Sequence, residues 1–141
     1  MKRFEFRLDR LLALRESQKR MVEQEIARNL RNQRDVREQK QHVIAQWQQA
    51  MRSVRADQID TLQPLCDQHQ LQVRKLDQKL QALQVSLQQI QQRRISLERQ
   101  VDSYGRLRAD AWSEYLKEYE SETQLERDER AIRGWDQRPS A

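Results

Sequence analysis

Two long series of heptad-spaced residues, separated by a short break, most constrain what this chain can fold into. The first series runs from Leu8 to Val54 and is apolar at both ends but polar in its middle. The second begins near His69 and contains six consecutive apolar positions, from Val73 to Ile90. Apolar residues repeated at this spacing over several heptads predict a coiled coil.

The composition excludes most compact folds. Among 141 residues there are only two glycines and two prolines, so the chain has few places to reverse, whereas sheet-containing folds need many. Hydrophobic residues make up 36%, below the roughly 45–50% of ordinary globular domains, which leaves too little apolar surface for a round core. The abundance of Gln, Arg, Glu, Leu and Ala favours helix over disorder. The predicted fold is therefore all-α, with two long helices that form an antiparallel coiled-coil hairpin.

The break between the two series, residues 55–64, marks the predicted reversal of the chain. Asp60 or Thr61 is a candidate N-cap of the second helix, because a short oxygen side chain satisfies the free N–H groups of a first turn. Pro64 fits that first turn, where no donor is required. The chain is predicted to be a single elongated helical hairpin over residues 1–141, with helix one at about 4–57, the turn at about 57–62, helix two at about 62–132 and a frayed tail at 133–141.

A reversal centred near residue 60 places residue i opposite about residue 120 − i. Phe4 then meets Tyr115 or Leu116. Residues 1–60 carry 14 cations and 9 anions, whereas residues 106–141 carry 7 cations and 9 anions. The same register brings the basic start near the acidic segment; the residues are Arg3, Arg7 and Arg10 on one side and Glu114, Glu118, Glu120 and Glu122 on the other. Both matches favour an intramolecular hairpin over a parallel homodimer, in which like termini would adjoin.

Polar residues at seam positions are expected to face the partner helix. They are Asn29, Gln33, Lys40 and Arg94. Polar side chains in a coiled-coil seam fix the register and weaken the pair, so register control is the first interpretation. The alternative is a hairpin kept loose enough to bend or to accept a third helix.

The sequence offers little chemistry. His42 and His69 are the only histidines, and Cys66, three residues before His69, is the only cysteine. A Cys-His pair needs an orienting group and a concave pocket, which a two-helix fold does not provide. We therefore expect a non-enzymatic protein with no cofactor and no metal site.

Charge and hydropathy limit the other partners. Acids interrupt the basic N-terminus, unlike the dense basic block of leucine-zipper DNA-binding proteins, so we expect no nucleic-acid partner. No apolar run reaches the roughly 20 residues needed to cross a bilayer, so no transmembrane segment is expected. The N-terminus carries charges where a signal peptide needs an apolar run, and the single cysteine suits a reducing compartment. These features predict a cytoplasmic location.

Apolar residues crowd the turns on either side of the reversal, a region that we call the apex. They include Ile44, Trp47, Met51, Leu62 and Leu65. A two-helix tip cannot bury all of them, and exposed Trp and Met are typical of protein interfaces. The alternative is that Trp47 packs in the seam against Val73.

Residues 4–15 read Phe-Glu-Phe-Arg-Leu-Asp-Arg-Leu-Leu-Ala-Leu-Arg. This run resembles the start of the FliJ family of flagellar export proteins, whose members open with Phe-x-Phe-x-Leu-x-x-Leu-Leu-x-x-Arg. Every fixed position of that pattern is present. The chain length, the predicted helical hairpin and the acidic segment 108–130 are also similar, and the related stalk proteins of injectisomes (the YscO type) share this build.

The resemblance implies a stalk that couples a hexameric export ATPase to the membrane export gate protein and escorts export chaperones, located at the inner face of the membrane. It implies that the paired termini insert into the ATPase ring. The residues assigned to that end are Phe4, Phe6, Leu8, Leu11, Leu12, Trp112 and Tyr115. The residues expected to face the gate, on exposed apolarity alone, are Ile44, Trp47, Met51, Leu62, Leu65 and His69. A generic coiled-coil scaffold, an injectisome stalk protein and a basic nucleic-acid binder remain as alternatives.

Overall fold

The computed structural model describes residues 2–136. In that part of the chain an α-helix α1 (Asp9–Arg52) is followed by a short 3₁₀ turn (Ala56–Gln58) and a second α-helix α2 (Ile59–Asp136), with no strand. The two long helices pack against each other. The prediction of an all-α protein with two long helices is confirmed.

Local chemistry explains why α1 is long and begins at Asp9. Its 44 residues contain neither glycine nor proline. Asp9 lies in the first turn, where its carboxylate interacts favourably with the helix dipole, and Arg52 does the same in the last turn. The backbone N–H of Asp9 donates to the carbonyl of Phe6 at 3.1 Å, and this bond closes the turn that precedes the helix. The predicted start at residue 4 was therefore five residues too early.

The connection between the helices lies upstream of its predicted position, at residues 53–58 rather than 57–62. The 3₁₀ turn runs directly into α2, so both predicted caps lie inside the helix and the capping prediction was wrong. The Thr61 hydroxyl donates back to the carbonyl of Gln58 at 2.7 Å. Pro64 is the sixth residue of α2, counted from Ile59, and leaves the carbonyl of Asp60 without its intrahelical donor.

The C-terminal boundary also differs from the prediction. Helix α2 continues through Gly134 to Asp136, so residues 133–136 are helical and not frayed, whereas residues 137–141 lie outside the described residues. One glycine costs a helix only about 1 kcal/mol, which does not suffice to end it. At Gly105, also within α2, a Cβ would meet no atom within 4 Å, so this glycine marks no close contact.

The chain divides into two compact units. Unit 1 contains the described residues up to Gln18 together with those from Leu97 onward, and unit 2 is Lys19–Ser96. Each unit therefore holds one stretch of α1 and one stretch of α2. The residues that are buried within the described part of the chain all belong to unit 2, and they are Val22, Asn29, Gln33, Val36 and Ile90.

Contacts between the helices follow one order within each unit. In unit 2, α1 residues of increasing number meet α2 residues of decreasing number, and the pairs are Glu23 with Arg94, Glu25 with Arg93, Lys40 with Asp77 and Trp47 with His69. In unit 1, Asp9 meets Arg108 and Phe4 meets Trp112 and Tyr115. These pairs fit residue i opposite about 117 − i, so the predicted register was off by about three residues, because the connection lies upstream of its predicted position.

Candidate functional site

The first candidate site is the terminal aromatic cluster of unit 1, formed by Phe4, Trp112 and Tyr115. Trp112 and Tyr115 lie three residues apart on α2, which places them on one face of the helix, and their rings stack at 5.5 Å. The ring of Phe4 packs edge-on against Trp112 at 4.9 Å and tilted against Tyr115 at 5.3 Å. Aromatic pairs at such distances are favourable beyond the area that they bury.

Phe4 reaches this face from residues 2–8, a non-helical segment that precedes α1 and that we call the strap. The hydroxyl of Tyr115 donates to the backbone carbonyl of Lys2 at 3.0 Å. The guanidinium of Arg108 lies 5.6 Å from the centre of the Phe4 ring, within the range of a cation–π interaction. Three contacts thus attach the strap to α2. The ring of Phe4 packs on Trp112 and Tyr115, the carbonyl of Lys2 accepts from Tyr115, and the guanidinium of Arg108 lies near the Phe4 ring.

Arg108 also fixes the junction of the strap with α1. Its Nε donates to Asp9 Oδ1 at 3.0 Å, and the two side chains are 47% and 50% exposed. Solvent screens an ion pair of this kind, so its contribution to stability is small. Its geometric effect is larger, because the same guanidinium contacts both the first residue of α1 and the ring of Phe4.

An open groove of about 740 Å³ lies beside the cluster. The charged residues that line it from the strap are Lys2, Arg3 and Glu5. From α2 they are Glu114, Glu118 and Glu122, which are spaced four residues apart and share a face. Cations of the strap therefore line the same groove as a row of carboxylates on the helix.

The structure brings together three of the seven residues assigned to the ring-engaging end, namely Phe4, Trp112 and Tyr115. The other four, Phe6, Leu8, Leu11 and Leu12, are half-buried within unit 1. The Arg108–Asp9 pair was not predicted from the sequence, because the pairing becomes visible only with the observed register.

The second candidate site lies in unit 2, where the indole of Trp47 stacks on the imidazole of His69 at 4.7 Å and 14°. Ile44 and His69 line a shallow groove of about 610 Å³ together with Val73. Trp47 is half-buried, and its stacking partner lies four residues before the predicted Val73. This stacking across the two helices supports the interpretation of Trp47 as a packing residue.

The remaining apex residues present apolar surface. Met51 is 41% exposed and Leu65 51%, whereas Leu62 is half-buried. Ile59, at the start of α2, is 60% exposed. The structure thus assembles Ile44, Trp47 and His69 in one place and leaves Met51 and Leu65 accessible.

The polar seam positions are where the sequence predicted them. Asn29 and Gln33 are 6% and 3% exposed; Asn29 Nδ2 donates to the carbonyl of Leu83 on α2 at 3.0 Å, and Gln33 Nε2 donates to Asn29 Oδ1 at 2.7 Å. We call these two side chains the amide layer. Lys40 Nζ lies 2.7 Å from Asp77 Oδ1, and Arg94 Nε lies 3.7 Å from Glu23 Oε1. The prediction that the polar seam residues face the partner helix is confirmed.

Within residues 2–136, no group of three or more His, Cys, Asp or Glu side chains is arranged to hold a metal ion. In the same part of the chain, neither long helix has a stretch apolar enough to cross a membrane. Comparison with known protein families, with curated proteins and with solved structures gives no match.

Proposed function

We propose that this chain is a non-enzymatic stalk of a flagellar type III protein export apparatus, which couples a hexameric export ATPase to the membrane export gate protein and escorts export chaperones. On this proposal it works in the cytoplasm, at the inner face of the membrane. The proposal starts from the N-terminal pattern of residues 4–15 and requires that the contacts between the helices suit a stalk.

The proposed architecture is an antiparallel coiled-coil hairpin. Heptad spacing in both helices supports it, as does the order of the contacts, because partner numbers on α2 fall as those on α1 rise. The connection of residues 53–58 is short enough to join two antiparallel neighbours.

The observation that carries the proposed function is that unit 1 contains two distant stretches of the chain. It contains the N-terminal motif and the C-terminal stretch of α2, and it joins them through Phe4, Trp112 and Tyr115. A stalk that inserts both termini into an ATPase ring requires these two stretches side by side. Trp112 remains 44% exposed and Leu116 38% exposed, so the joined end still offers apolar surface to a partner.

The proposed gate contact is the apex of unit 2. Met51 and Leu65 are accessible there, and the groove beside His69 offers an apolar wall next to Asp77 and Arg74. Large exposed side chains of this kind are common at protein interfaces. The amide layer and the interhelical ion pairs contribute register rather than adhesive surface, as a rod that moves within a ring requires.

The direct test is stimulation of ATP hydrolysis. The purified chain is added to the export ATPase encoded in the same genome, and the initial rate is measured with wild type, with the double variant W112A/Y115A and with L30A as the control. Leu30 is 50% exposed and belongs to unit 2. We expect wild type and L30A to raise the rate several-fold and W112A/Y115A to lose most of the stimulation.

Absence of stimulation by wild-type protein, together with absence of the ATPase from a pull-down, would overturn the proposal. Stimulation of an injectisome ATPase but not of the flagellar one would replace it with the injectisome alternative. Stimulation by W112A/Y115A at the wild-type level would refute the assignment of the ring-engaging end, and light scattering on the same samples distinguishes a monomeric hairpin from a dimeric scaffold.

A further inference from the structure

The strap behaves as a peptide ligand that the chain supplies to itself. Residues 2–8 are non-helical, although α1 begins directly after them. Their contacts with α2 are those of a non-helical peptide on a helix face, in which Phe4 packs on two aromatic rings and the carbonyl of Lys2 accepts from Tyr115. None of these contacts requires that the segment belong to the same chain.

The features of α2 that hold the strap define the chemistry of what binds there. Trp112 and Tyr115 receive an aromatic ring, and the Tyr115 hydroxyl receives a backbone carbonyl, which any sequence carries. Glu114, Glu118 and Glu122 of α2 line one groove together with Lys2, Arg3 and Glu5 of the strap, so carboxylates of the helix outnumber the single carboxylate of the strap. The matching ligand is an extended segment with one or two cations directly before an aromatic residue.

We propose that this face of α2 is a docking site for an extended segment of a partner protein with that pattern, and that the strap occupies the site until such a segment displaces it. The strap is then an internal competitor. It covers part of the surface of Trp112 and Tyr115 in the free protein. It leaves when the partner's cation-aromatic segment contacts the two rings, the Tyr115 hydroxyl and the carboxylates in its place.

The proposed ring-engaging end then has a closed state, in which the strap lies on α2, and an open state, in which a partner segment has displaced it. In that respect the inference rests on the proposed function. Its chemistry can be tested without any ATPase. A failure of the ATPase assay therefore leaves the peptide result standing, and a failure of the peptide assay leaves ATPase stimulation standing.

The experiment uses the full-length chain and a dye-labelled peptide of residues 2–9, Lys-Arg-Phe-Glu-Phe-Arg-Leu-Asp, with binding followed by fluorescence anisotropy. The variant F4A releases the strap, because Phe4 makes its ring contacts. The matched control is F6A, since Phe6 lies in the same strap and is also half-buried. We expect the peptide to bind F4A at least about tenfold more tightly than wild type or F6A, because a tethered competitor lowers the apparent affinity for a free one.

Two further measurements identify the site. The peptide with its first phenylalanine replaced by alanine is expected not to bind F4A. The double variant F4A/E118K is expected to bind the original peptide several-fold more weakly than F4A, and higher salt is expected to reduce the difference between them. Circular dichroism of F4A is expected to match wild type, because the strap lies outside both helices.

Equal binding of the peptide to wild type and F4A, or no binding to F4A at peptide concentrations of about 1 mM, would overturn the proposal. Hydrogen exchange on wild-type protein provides a check that needs no variant. Excess peptide is expected to accelerate exchange of the Asp9 amide, which donates to Phe6 in the closed state, and an unchanged rate would also overturn the proposal.

Discussion

Unit 1 and unit 2 join stretches of the same two helices by different chemistry. Every buried residue within residues 2–136 belongs to unit 2. Val22, Val36 and Ile90 form its aliphatic core, and the amide layer lies between Val22 and Val36 along α1. Unit 1 relies on partly exposed aromatic rings and a non-helical strap. The difference shows that one pair of helices can use buried polar side chains to fix its register in one stretch and leave aromatic side chains accessible to a partner in another.

The largest effect is expected in the core of unit 2. Val36 is 3% exposed and Val85, on α2 of the same unit, is 50% exposed. V36D places an unpaired carboxylate in the seam, and we expect it to lower the free energy of unfolding by about 3–5 kcal/mol. V85D is the matched control and is expected to change it by less than about 0.5 kcal/mol.

Urea denaturation followed by circular dichroism measures both variants. A similar decrease in the free energy of unfolding for V36D and V85D would show that unit 2 has no specific core. Unit 2 would then not differ from unit 1 in having buried residues that stabilise it.

The next effect concerns the amide layer. N29A leaves the buried amide of Gln33 without its acceptor, and we expect it to destabilise the chain by about 1–3 kcal/mol. The double variant N29L/Q33L removes both polar groups and is expected to be as stable as wild type or more so. Its helices are expected to lose their unique register, because no buried polar contact then selects one and the remaining ion pairs are largely exposed.

Amide NMR spectra report the register directly, since mixed registers double the resonances near Leu83. The exposed Asn32 provides the control, and N32L is expected to keep both the stability and the single set of resonances. A single set of resonances in N29L/Q33L would mean that apolar packing alone selects the register.

A smaller effect is expected in unit 1. W112A removes the ring contacts with Phe4 and Tyr115, and we expect a loss of about 1 kcal/mol, because Trp112 is 44% exposed and aromatic pairs contribute about 0.5–1.5 kcal/mol. Hydrogen exchange is expected to quicken at Asp9 while amides near Val36 keep their rates. Equal acceleration in both units would show that they unfold together, against the contrast drawn here.

The smallest effects are expected from the interhelical ion pairs. R108Q in unit 1 and R93Q in unit 2 each break a pair whose side chains are about half exposed, and we expect changes below about 1 kcal/mol that shrink further in high salt. K40Q is the sharper case, since Lys40 is 33% exposed and 2.7 Å from Asp77. Thermal melts at low and high salt rank the three variants by their loss of melting temperature. A large loss in R108Q that high salt does not reduce would contradict the view that Arg108 mainly positions Phe4 and Asp9.

Much of the fold could be predicted from the sequence because seam residues are set by spacing alone. The heptads located both helices, and Asn29 and Gln33 were expected in the seam before any contact was known. The register was not predictable to better than about three residues, because the connection carries neither glycine nor proline and the 3₁₀ turn at Ala56–Gln58 decides where α2 begins.

The candidate site was predicted less completely. Phe4 was expected to meet Tyr115 or Leu116, and it packs against Tyr115 and, beyond the prediction, against Trp112. The strap was missed, because residues 4–8 include good helix formers such as Glu5, Arg7 and Leu8, and the contacts of Lys2 and Phe4 with α2 override that preference. Such a tertiary override leaves no periodic signal in a single sequence.

The short connection has a consequence for proteolysis. Residues 55–58 are exposed and not α-helical, and Arg55 gives trypsin a cleavage site there. Arg52, the last residue of α1, gives a second site where the connection begins. The contacts that pair the helices do not involve this connection, so the two fragments of a nicked chain are expected to remain associated. Folding of the nicked protein then becomes a bimolecular reaction, and its melting temperature is expected to fall as the sample is diluted.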